Sequence, residues 1–98
     1  LQLKNTLRLT ELNDDYAVAE LGVPVKYIGH AIDTISISDR FNLKIVAVKI
    51  APGEGLLASI FRRNFKVDMS YDPFSPLGEK DVLVVAGKIA DIKRFTES

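Results

Sequence analysis

The 98-residue chain is one small domain's worth of sequence, 47% apolar, with 13 basic residues against 13 acidic ones. That balance argues against nucleic acid as the main partner, because phosphate binding needs a clear cationic excess. With no cysteine, a disulfide framework and a thiolate metal site are excluded, and apolar runs such as Ile45–Val48 and Leu83–Val85 are too short to span a bilayer, so direct membrane insertion is not expected.

In chain order, Leu7 to Leu12 reads as a short amphipathic segment, and Asn13-Asp14-Asp15 as a turn. Tyr16 to Leu21 reads as a strand running toward Val23 and closed by Pro24, which cannot donate to a ladder. Ile28, Ile32, Ile35 and Phe41 fall near one helical face. They predict a helix ending near Asn42, since asparagine tolerates the left-handed turn that stops a helix. The alternation Ile35-Ser36-Ile37-Ser38 also fits a strand.

Leu43 to Ile50 is rich in β-branched residues and predicts a strand with Leu43, Ile45 and Ala47 on one face. Its apolar middle on both faces suggests a central position. Phe65 to Met69 alternates as a strand, Asp72 to Asp81 is rich in turn formers, and Asp81 to Gly87 is the clearest strand. Ile89, Ile92 and Phe95 recur at helical spacing and predict a closing helix. The whole is read as α+β: a small, mainly antiparallel sheet with helices on one face.

Between the third and fourth strands lies an insertion at about 52–64. Gly53, Gly55 and Ala58 match the Gly-x-Gly-x-x-Ala spacing of a dinucleotide-binding fingerprint. The surroundings argue against it. Pro52 interrupts the hand-over from strand to loop, a helix from Leu56 to Asn64 is short for a crossover, and Asp68 comes too early for the ribose-binding acid. The glycines read better as part of a loop, which is apolar at Leu56, Leu57, Ile60 and Phe61 and basic at Arg62, Arg63 and Lys66. A long partly apolar loop of this kind is a candidate contact surface.

No set of nucleophile, base and orienting group emerges, so no catalytic residues are expected. His30 is the only histidine; it reads as a solvent-facing residue rather than a metal ligand. Asp14 and Asp15 read as turn formers, and Lys80-Asp81 as the opening of a strand.

Gly22-Val23-Pro24, Gly29-His30-Ala31-Ile32 and Ile45-Val46-Ala47-Val48 resemble successive elements of the C-terminal regulatory (RCK-C or TrkA-C) domain of TrkA/KtrA-type potassium uptake proteins. The most specific part is the close, Leu77-Gly78 through Asp81-Val82-Leu83-Val84-Val85-Ala86-Gly87, followed by Asp91-Ile92-Lys93-Arg94-Phe95. The resemblance covers about Tyr16 to Phe95. His30 stands where lysine is usual, and the insertion is longer than in many members.

The resemblance implies a domain over 16–98, preceded by a linker at 1–15 from a nucleotide-binding domain earlier in a longer protein. Leu1 in place of a starting methionine fits such a piece. It also implies a cytoplasmic homodimer without enzymatic activity or resident cofactor, assembled into a ring that gates a membrane potassium-transport subunit. Some family members bind cyclic di-AMP at the dimer interface. The corresponding positions here read Ser36-Ile37-Ser38 and Lys44-Ile45, with Ile32 beside them and Arg40 two residues late for the family's arginine. Ile32, Ile37 and Ile45 would keep an apolar floor for adenine, whereas Ser36, Ser38 and Lys44 replace the family's aspartate, arginine and asparagine. Two alternatives stand beside this reading: the same domain in a cation–proton antiporter or other transporter, and a protein-interaction module using 56–65.

Overall fold

The computed structural model describes residues 3–51 and 65–98. The Gly53–Ala58 fingerprint and nearly all of the apolar and basic insertion lie outside the described residues.

Five strands form one antiparallel sheet: β1 (Thr6–Glu11), β2 (Tyr16–Gly22), β3 (Lys44–Ile50), β4 (Lys66–Asp68) and β5 (Val82–Lys88), in the order β1-β2-β5-β3-β4. The α+β class and the antiparallel sheet agree with the sequence reading. β5, the most continuously apolar segment, takes the centre. β3 stands next to it, bonded on both sides, with the three-residue β4 as the edge.

At the other edge, β1 occupies residues 6–11 and pairs along β2. The sheet thus begins ahead of Tyr16, within the stretch that the resemblance implies to be a linker. The turn joining β1 and β2 is built by Asn13, whose side-chain oxygen accepts from the backbone N–H of Asp15 and of Tyr16, each at 2.8 Å.

One face of the sheet carries the core. Ala17, Ala19 and Leu21 of β2 alternate inward, opposite Gly87, Val85 and Leu83 of β5. The closing helix α3 (Ile89–Thr96) lays Ile92 and Phe95 on this face, both fully buried. Asp91 in its first turn and Lys93 and Arg94 in its last complement the helix dipole. The N–H of Ile89, which no helical carbonyl can satisfy, donates to Asp15 O at 2.8 Å and ties the helix start to the β1–β2 turn.

The helix expected up to Asn42 is replaced by three shorter pieces. These are a 3₁₀ turn at Val25–Tyr27, α1 (Ile32–Ile35) and α2 (Ile37–Phe41). Ser36 breaks the helix in the left-handed conformation, φ 57° and ψ 49°. The reason lies in the flanking isoleucines. In an unbroken helix Ile35 and Ile37 would sit about 200° apart, and one would face water. The break turns both inward, leaving them 2% and 1% exposed. Asn42 does stop the second piece in the left-handed region, φ 55°. Phe41 meets Phe95 edge-on at 5.1 Å, and Tyr27 stacks on the same ring at 5.6 Å, closing the core.

The face assignment of β3 is also corrected. A bulge between Ile45 and Ala47 places Val46 as an extra residue, so the alternation inverts beyond it. Ile45 and Val48, opposite Val85 and Leu83, share the core face. Ala47 pairs with Val84 on the other face, and Lys49 with Val82. There Lys49 reaches across β5 to Glu20 of β2, which also lies 4.0 Å from Arg8 of β1. This face of the sheet is thus held by an ion-pair cluster over the apolar side chains of β5, with the lysine stem covering them.

Candidate functional site

Among the described residues lies a wide-mouthed groove of about 740 Å³. It forms where three segments converge: the β1–β2 hairpin, the α2–β3 connection and the start of the Tyr71–Leu77 segment. Ile32 and Leu43 supply its buried lining, with half-buried Ile45, Ala86 and Tyr71 beside them. The more exposed lining is Leu12, Tyr16, Ser38, Asn42 and Lys44. Lys44 is the only charged side chain in this lining.

Gly87 makes the close packing here sterically feasible. A Cβ at this position would lie 2.7 Å from Leu43 Cδ2 and 3.3 Å from Asn42 O. The α2–β3 connection therefore rests directly on the backbone of β5, and any side chain at 87 would push it away.

Of the seven candidate ligand positions, the fold brings four into this groove: Ile32, Ser38, Lys44 and Ile45. The other three lie elsewhere. Ile37 is 1% exposed within the core, because the break at Ser36 has turned it inward. It cannot serve as a surface on which a base lies in this arrangement. Ser36 is half-buried at the break, its hydroxyl donating to Asp33 O at 3.2 Å. Arg40 is exposed on α2; its guanidinium donates to Ile35 O at 3.4 Å and lies 5.1 Å from the Phe41 ring centroid.

Tyr16, Tyr71, Leu12 and Asn42 line the groove but carry no local motif in the sequence. They come from three separate stretches of the chain, brought together by the pairing of β2 with β5 and β5 with β3 and by the backbone hydrogen bonds that tie residues 73–77 to 29–33.

A second construction pins the far end of β5. Asp81 accepts from Gly78 N at 2.8 Å and from Ala51 N at 3.2 Å, while its own N–H donates to Gly78 O. The sequence reading treats Asp81 only as the opening of a strand. In the fold it clasps the 77–81 turn to the exit of β3.

Chemically, the groove offers apolar and aromatic surface with a single cation and neutral hydrogen-bonding groups. It suits binding rather than bond-making. His30 is exposed, and no group of three potential metal ligands occurs among the described residues. No described helix is long and apolar enough to cross a membrane. Comparison with protein-family models and with curated proteins finds no match.

Proposed function

We propose that this chain is a cytosolic regulatory domain of a potassium or other cation transport system, acting as a dimer whose groove takes a regulatory ligand. The observation that carries this reading is the convergence of Ile32, Ser38, Lys44 and Ile45. These residues fall between positions 32 and 45, are singled out by resemblance to the TrkA-C domain, and line one groove. The order of elements supports it further. A strand ends at Gly22-Val23-Pro24, short helices follow, then a strand through Ile45–Val48, and Val82–Lys88 hands over directly to the closing helix.

Regulation by such a module is mechanical. A ligand that prefers one arrangement of the dimer shifts the attached membrane subunit toward the corresponding state, by no more than its difference in affinity for the two. Cyclic di-AMP is the ligand proposed, with Ile32 and Ile45 against a base and Lys44 near a phosphate as a point charge.

Thermal unfolding with cyclic di-AMP, ATP and NADH tests this. A ligand at 100 times its dissociation constant stabilises the fold by about 2.7 kcal/mol, a rise in Tm on the order of 10 °C for a domain of this size. Only cyclic di-AMP should give it. A shift with NADH or ATP alone would overturn the assignment.

A further inference from the structure

Three residues beyond Tyr71, which lines the groove, Phe74 stands on the surface with 72% of its area exposed. Its position is not that of a loose loop residue. The N–H of Phe74 donates to the Asp72 carboxylate at 2.9 Å, and Ser75 N to Asp72 O at 3.2 Å. Pro73 O accepts from Asp33 N at 2.9 Å, Pro76 forms a bridge with Ala31, and Leu77 exchanges backbone hydrogen bonds with Gly29 and His30. Two prolines stiffen the segment further. The turn therefore fixes the backbone that carries a large apolar side chain in water, so that less backbone freedom is lost when such an aromatic anchor binds.

The chain also carries a matching socket. The groove presents Leu12, Tyr16, Ile32 and Ile45, with Lys44 as its one charge and no carboxylate in its lining. The knob has the opposite character: Asp72 lies beside Phe74, with Asp33 bonded to the same turn, and residues 71–77 hold no basic side chain. Phe74 faces solvent and does not line the groove of its own copy, and the hydrogen bonds above hold its backbone in that place.

Resting on the dimeric reading above, we infer that Phe74 seats in the groove of a second copy of this chain, with Asp72 approaching Lys44 of that copy. A two-fold interface uses the same pair twice, so both halves of the complementarity are on one chain. Seated there, Phe74 and Asp72 take the apolar lining and the cation that a bound ligand would use, so a ligand displaces this contact.

Sedimentation velocity over a concentration series tests this on the wild type, Phe74→Ala, Lys44→Asp, Asp72→Lys and the Lys44→Asp/Asp72→Lys pair. Far-ultraviolet circular dichroism serves as the check on folding, because Phe74 is exposed and its loss leaves the core intact. The inference predicts a wild-type dimer weakened about 10-fold or more by Phe74→Ala, as for an interface anchor. Each charge reversal should weaken it about 2–5-fold, and the pair should recover most of that loss. A wild-type dimer unaffected by Phe74→Ala overturns the inference, leaves the dimeric reading standing, and gives Phe74 to another partner or to none. A strictly monomeric wild type overturns both.

Discussion

Replacing Gly87 by alanine tests the packing that builds the groove. The added Cβ would meet Leu43 Cδ2 at 2.7 Å and Asn42 O at 3.3 Å. The first contact could be relieved by turning the leucine side chain, but Leu43 is 1% exposed and its neighbours hold it in place. The second is with backbone, at a residue whose left-handed conformation is already set, φ 55°. Overpacking of this kind costs about 1–3 kcal/mol, and each kcal/mol lowers Tm by about 4–8 °C in a domain of this size. Gly22→Ala is the control. There the nearest atom, Asn5 O, is at 3.7 Å, an ordinary contact, and φ is not in the positive range. That substitution should be neutral or stabilising by up to about 1 kcal/mol, because it restricts the unfolded chain. Calorimetric melting of both variants decides the matter. Equal Tm values for Gly87→Ala and the wild type would refute the claim that the α2–β3 connection lies directly on β5.

Three further outcomes follow from the packing and the hydrogen bonds. Phe95→Ala removes the fully buried ring that Tyr27 and Phe41 both contact; it should cost about 3–5 kcal/mol, read by urea unfolding with an unchanged slope. Tyr27→Phe should be neutral or slightly stabilising in the same assay, because the buried Tyr27 hydroxyl has no hydrogen-bond partner among the described residues. Asp81→Ala deprives two backbone N–H groups of their acceptor; a loss of about 1–3 kcal/mol is expected, with faster amide exchange at Gly78 and Ala51 than in the wild type.

The legible parts of the fold were those written in local pattern. The apolar, largely β-branched run at Val82–Val85 and the 3-residue spacing of Ile89, Ile92 and Phe95 each report one element and its buried face. Where the sequence reading failed, two patterns competed. Ile35 and Ile37 demand burial together, which no continuous helix provides, and Ser36 yields. In β3, either face of Lys44–Ile50 could pass as the inner one by composition, and only pairing with β5 reveals the extra residue at Val46.

The candidate site was half legible, for a related reason. Ile32, Ser38, Lys44 and Ile45 could be named from a resemblance, yet Ile37, chosen on the same ground, is buried by the break that follows Ile35. Tyr16 and Tyr71 had no local signal at all, since their shared position depends on the strand order and on the bonds that tie residues 73–77 to 29–33. Phe74 had a weak one: an aromatic residue between two prolines, whose display on a clasped turn appears only once the backbone hydrogen bonds are traced.

The most direct test of the account is calorimetric titration of the purified chain with cyclic di-AMP. The account predicts saturable binding at one ligand per two chains, weakened severalfold by Lys44→Ala, with the stoichiometry itself reporting a site shared across a two-fold. Absence of saturable heat at millimolar ligand would contradict it.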